Sequence, residues 1–222
     1  MPQAITDYVP LADKFLQHWN DAENALGRAI VLEEGTTRDS LQDLKDALIV
    51  AQQAALVAEN ARQGGMRARD NARAEAFPIA RQARKSIASV IPSSEEARQL
   101  PVKFLPLTAD AQKQLVALRD VENVWSSVNA LPANKYASLV VPFTVLVDLQ
   151  GTQETITLAR YKAAVATLAT AASAVQTAEQ ALTQAQQDRK KAIETLAAIF
   201  KAYRTVIRGV FPLTSAVYRS LP

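Results

Sequence analysis

Between Thr152 and Val210 the chain contains no proline and a single glycine, Gly209, at its far end. Nothing in that stretch supplies a tight turn, so the backbone is expected to run as one helix. Its Ala, Leu, Gln, Glu, Lys and Arg agree, because these side chains lose little rotamer freedom in a helix. The expected element has about 55 residues and is roughly 80 Å long at about 1.5 Å per residue. Apolar positions along it recur in steps of three and four: Tyr161, Ala164, Leu168, Ala171, Val175, Ala178 and Leu182. They form one stripe, and a helix with a single apolar stripe needs a partner to be stable in water.

The partner lies 120 positions upstream. Residues 41–92 align with 161–212 without a gap, and 13 of the 52 pairs are identical, among them Leu48/Leu168, Ala51/Ala171 and Pro92/Pro212. The matching stripe is Leu41, Leu44, Leu48, Ala51, Ala55 and Ala58. Landmarks outside the helices recur in the same order. They are Trp19 and Trp125, an Asn-Ala-Leu phrase, an apolar run ending in Gly35-Thr36 or Gly151-Thr152, the long helix, and Leu100-Pro101 or Leu221-Pro222. That order indicates an internal duplication.

The expected fold is therefore all-α: an elongated antiparallel helical bundle built from two tandem copies of one module, 1–104 and 105–222, packed as one pseudo-twofold domain. Each copy has a short helix, over about 10–26 and 108–130, followed by a very long one. The runs Ala29–Leu32 and Val145–Val147 leave room for a short β-ribbon between the copies. Thr36 or Thr37 and Thr152 read as N-caps of the long helices, with Asp39 or Glu154 in the first turn. Gly64-Gly65 and Pro78 predict a bend in the first long helix.

Little in the chain is suited to catalysis. Without cysteine there is no disulfide, thiolate ligand or thiol nucleophile. His18 is the only histidine, so no second imidazole joins it at a metal. Glycines are too few for a phosphate loop. The carboxylates at Glu33-Glu34, Glu95-Glu96 and Asp39, Asp43 and Asp46 read as solvated faces, and Glu59 and Glu179 as helix surface or ion-pair partners. No metal, cofactor or small-molecule substrate is inferred, and the chain reads as a non-enzyme.

Charge is distributed unevenly. Residues 1–60 carry 4 basic and 10 acidic groups, 61–104 carry 9 and 4, and 185–222 carry 7 and 2. Arg81, Arg84 and Lys85 near the end of the first long helix are answered by Lys201, Arg204 and Arg208 near the end of the second. Cations there complement the helix dipole and can also meet phosphates or acidic subunits. Val141, Phe143, Val145 and Val147 offer an apolar edge that can recruit another subunit.

On the Trp-Asn-Ala-Leu, Gly-Thr and Pro-ended helix phrases, the whole chain resembles bacterial proteins without an assigned role that are built from a duplicated Ala-rich helical unit. The resemblance implies a fold plan and brings no catalytic residues. The function expected is that of a structural or interaction protein that self-assembles through repeated helical surfaces into an oligomer or filament. Its alternative is a binder of anionic surfaces, nucleic acid or lipid, through the basic stripes. The start lacks a basic n-region and apolar h-region, and no long uncharged apolar run follows, so a cytoplasmic setting is the default, with export lacking a classical signal left open.

Overall fold

The computed structural model describes residues 8–104, 106, 110–132, 135–149 and 151–222. The fold is all-α with one small hairpin. In chain order the elements are α1 (Tyr8–Leu26), α2 (Arg38–Val90), α3 (Glu95–Arg98), α4 (Ala111–Asn129), β1 (Val145–Leu149), β2 (Thr152–Ile156), α5 (Leu158–Val210) and α6 (Ala216–Arg219), with a 3-10 turn at Glu33–Gly35. The part of the second short helix expected at 108 and 109 lies outside the described residues.

Both long helices have 53 residues, and both their first and last residues are 120 positions apart. Each is preceded by a threonine whose hydroxyl accepts an orphan amide hydrogen of the first turn, Ser40 N at 3.3 Å for Thr37 and Arg160 N at 3.3 Å for Thr157. The two short helices that follow are capped alike, with Ser94 Oγ accepting from Ala97 N and Ser215 Oγ accepting from Tyr218 N. The first long helix runs unbroken through Gly64, Gly65 and Pro78.

The Gly-Thr phrase of the second copy does not start its helix. Gly151 sits at φ 86° in the turn of the β1–β2 hairpin, and Thr152 and Glu154 belong to β2. The ribbon expected between the copies is this local hairpin, with Val145 opposite Ile156 and Val147 opposite Glu154. The cause is an insertion. Trp19 and Trp125 are 106 positions apart and Thr37 and Thr157 are 120 apart, so the second copy spends fourteen more residues between its Trp and its cap.

Two compact units form, neither of them continuous in sequence. One comprises 1–59 with 179–222 and the other 60–178. Copies 1–104 and 105–222 each contribute to both units, because each long helix gives its first part to one and its last part to the other.

In the first unit Phe15 and Trp19 from α1, Leu41 and Leu48 from α2, and Leu196, Phe200, Tyr203 and Ile207 from α5 form the core. Phe15 stacks on Phe200 with centroids 4.2 Å apart, and Trp19 stacks on Tyr203 at 4.5 Å. In the second unit Trp125 from α4 stacks on Tyr161 of α5 at 5.6 Å, above Leu118, Val121, Ile79 and Ile87. Here the α2 and α5 segments run antiparallel: Gly65 faces Val175, and Glu75 Oε1 lies 2.6 Å from Arg160 Nη2.

The duplication exposes how volume is traded. The 120-residue counterpart of Tyr203 is Ala83, and that of Tyr161 is Leu41; all four are fully buried. One unit thus pairs a tyrosine from the end of a long helix with Leu41, the other a tyrosine from its start with Ala83. Gly65 and Val175 show the same exchange, since their counterparts are Ala185 and Ala55. A Cβ on Gly65 would come 3.0 Å from Val175 Cγ2, whereas one on Gly64 meets nothing within 4 Å.

Gly64→Ala is therefore expected to stabilise the protein by about 0.5–1 kcal/mol through helix propensity. Gly65→Ala should forfeit that gain to overpacking, typically about 1–3 kcal/mol. In a Val175→Ala background Gly65→Ala should become favourable, because the pair then copies Ala55 and Ala185. Urea unfolding of the wild type, Gly64→Ala, Gly65→Ala, Val175→Ala and the Gly65→Ala/Val175→Ala double variant checks both expectations.

Candidate functional site

Trp125 Nε1 donates to Phe143 O at 3.0 Å, and Asn129 Oδ1 accepts from Phe143 N at 2.8 Å, so the inserted segment is pinned to α4 at one residue. Trp19 has no such segment, and its buried Nε1 has no acceptor among the described residues. Trp125→Phe is expected to cost about 1–3 kcal/mol beyond the lost ring area by leaving the Phe143 carbonyl unpaired. Trp19→Phe breaks no hydrogen bond and should cost correspondingly less; chemical denaturation of both variants measures the difference.

The same segment overturns one expected surface. Phe143, Val145 and Val147 are buried, because alternate residues of β1 turn inward onto the second unit's core, where Ile156 joins them. They hold the hairpin down, so these three side chains do not form the exposed edge expected of them. Val141 is half-buried, and the exposed apolar residues are Val140 and Leu146.

The basic stripes are only partly free. Arg204 Nε donates to Pro222 O at 2.8 Å, and its guanidinium lies 5.0 Å from the Phe15 ring centroid, so this residue ties Pro222 to the first unit's core. Arg84 is half-buried, while Arg81, Lys85, Lys201 and Arg208 are exposed.

His18 is fully occupied. Its Nε2–H donates to Val217 O at 2.7 Å, which leaves Nδ1 for the Tyr203 hydroxyl, also at 2.7 Å. The Tyr161 hydroxyl donates to Leu118 O at 2.8 Å. Both phenols are held well above their ordinary range, Tyr161 by burial and then Glu122, Tyr203 by burial and then Glu23 and Asp21. Both His18 nitrogens are engaged in these hydrogen bonds, although the residue also borders a shallow cleft with Lys14, Gln17, Asp21, Ser220 and Pro222. Among the described residues no group of three His, Asp or Glu converges as a metal site, and no helix is long and apolar enough to cross a membrane.

Two features remain that reading the sequence did not single out. The first is on α2, where residues 47–58, ALIVAQQAALVA, contain no charged side chain. Ala47, Val50, Ala54 and Val57 fall in steps of three and four, yet all are exposed, Val50 by 63% and Val57 by 69%. They form a second stripe beside the buried one. Their counterparts on α5 are Thr167, Thr170, Ala174 and Thr177, also exposed but hydroxylated at three of four places. The uncharged run was the available signal, and only one of its two stripes is needed by the core.

The second feature is a cleft of about 470 Å³ along the end of α2, lined by Arg69, Asp70, Arg73, Ala74, Phe77, Pro78 and Arg81. Arg73 is 8% exposed. Burial first, and then the charge of Arg69, lowers its hold on its proton, while Asp70 opposes both. Compared with protein-family models, with curated proteins and with solved structures, the chain matches none.

Proposed function

We propose that the protein is a non-enzymatic structural or interaction protein that associates with a second copy of itself, the two α2 helices lying antiparallel along the Val50–Val57 stripe. The observation carrying this reading is the exposed stripe itself. A soluble helix gains nothing from valines held in water at heptad spacing, and the second copy has threonine at both places.

The charges along α2 favour a second copy in this orientation. Before the stripe the helix carries Asp39, Asp43 and Asp46 against Arg38 and Lys45, and after it Arg62, Arg67 and Arg69 against Glu59 and Asp70, so the first flank is net acidic and the second net basic. A twofold axis near Ala54 brings the acidic end of one helix beside the basic end of the other, while the uncharged run meets itself. Small alanines between the valines allow close approach. Binding to anionic surfaces through the basic stripes is the weaker reading, since Arg204 is engaged with Phe15 and Pro222.

The absence of cysteine makes the test direct. Under mild oxidation Ala54→Cys is expected to give a covalent dimer in high yield, because the residue lies at the proposed axis. Ala174→Cys, its exposed counterpart on α5, should stay monomeric. Equal cross-linking at the two positions, or none at Ala54→Cys, would remove the proposed contact.

A further inference from the structure

Arg73 is the least expected residue in the second unit. Among the described residues its one hydrogen bond runs from Nη1 to Asp70 Oδ1 at 3.4 Å, and Asp70 also faces Arg69 at 3.4 Å, so one largely exposed carboxylate serves two guanidiniums. The buried Nε–H has no acceptor among the described residues. A buried arginine left short of acceptors is costly, and replacement by an apolar residue is often neutral or stabilising.

The duplication supplies a control. The counterparts of Arg73, Phe77 and Pro78 on α5 are Ile193, Ala197 and Ala198, in a helix of the same length with no proline. The long helix therefore forms without a buried arginine and without a mid-helix proline, which removes a hydrogen bond and crowds the preceding turn. The first copy carries both departures within one turn and a half, on the same cleft. Local rules broken together at one place are a mark of a binding site.

From these observations we propose that the cleft binds a small organic anion whose phosphate or carboxylate head pairs with the under-partnered guanidinium of Arg73, with Arg69 and Arg81 beside it, and whose apolar body lies on Phe77 and Pro78. Three guanidiniums against one aspartate give the cleft a net positive charge. Phe77, held edge-on by Phe104 at 6.0 Å, gives the body a fixed wall. The volume suits a ligand of one or two rings. Its central residues Arg73, Phe77 and Pro78 lie outside the Val50–Val57 stripe, and Arg69 alone is shared with the proposed pairing of α2 helices.

The test is calorimetric titration of the whole chain with 1-naphthyl phosphate and 1-naphthoate, against 1-naphthol and inorganic phosphate as half-ligands. The expected result is saturable binding of at least one of the two anions at one per chain, with each half-ligand at least tenfold weaker. The tighter anion identifies the head. Arg73→Ile, which copies the α5 residue, should lower the affinity at least tenfold while the melting temperature holds or rises. Arg81→Met, at an exposed position, should weaken binding about threefold or more with the fold unchanged. No saturable binding by either anion, equal binding of 1-naphthol, or affinity unmoved in both variants would overturn the proposal. A fall in melting temperature in Arg73→Ile with affinity retained in Arg81→Met would also overturn it, by assigning Arg73 to the fold.

Discussion

Tyr203→Ala is expected to destabilise the protein by about 3–5 kcal/mol, the range for removing a fully buried large aromatic side chain. The ring lies against Trp19, meets Phe15 edge-on at 5.8 Å, and carries the hydroxyl that pairs with His18 Nδ1. Removing it leaves a cavity that neighbours already in contact cannot collapse to fill, and it orphans an imidazole nitrogen inside the core. Tyr203→Phe keeps the ring and should cost only about 1–3 kcal/mol, the penalty for the unpaired His18 nitrogen. The alanine at the equivalent place, Ala83, is tolerated because Tyr161 supplies the missing ring from the other helix. Tyr203→Ala combined with Leu41→Tyr, which copies the second unit's arrangement, should recover part of the loss. Urea unfolding monitored by Trp fluorescence measures all three.

Val147→Asp should be comparably severe, about 3–5 kcal/mol, because it places a carboxylate with no partner into an apolar core. Val147 is 4% exposed and packs with Val145 and Ile156 beneath the hairpin. Leu146→Asp, one residue earlier and pointing outward at 54% exposure, should change stability by less than about 0.5 kcal/mol. The contrast between neighbours is the consequence of strand alternation. Thermal melts of the two variants decide whether the segment belongs to the core or to a surface.

The architecture was legible because its signals repeat. The steps of three and four from Leu41 to Ala58 and from Tyr161 to Leu182 mark the buried stripes, and apart from half-buried Leu44 and Leu182 every residue on those stripes is buried. The gap-free offset of 120 predicts two helices of equal length. The same repetition hides the hairpin, since Gly151-Thr152 resembles Gly35-Thr36 but forms a turn and a strand. Composition alone does not say which Gly-Thr ends a loop and which makes a turn; the fourteen extra residues between Trp125 and Thr157 do.

Site residues were harder to read because a sequence gives residue types and spacing but not which face is spent. Val145 and Val147 read as an edge and are core. Val50 and Val57 lie in an uncharged helical run beside the buried stripe, and spacing alone does not show that they are exposed. Arg204 reads as a surface cation and is tied to Phe15 and Pro222. Arg73 sits among other arginines and reads as one more solvated charge, and only burial without an acceptor distinguishes it.

The claim that α2 mediates self-association is tested most directly by sedimentation equilibrium of the wild-type chain beside a Val50→Thr/Val57→Thr variant, which carries the side chains of Thr170 and Thr177. The expected result is a concentration-dependent mass approaching twice the 24.1 kDa chain for the wild type, and a single-chain mass for the variant with unchanged helix content. A wild type that stays at 24.1 kDa at every concentration, or a variant that associates as strongly as the wild type, would contradict it.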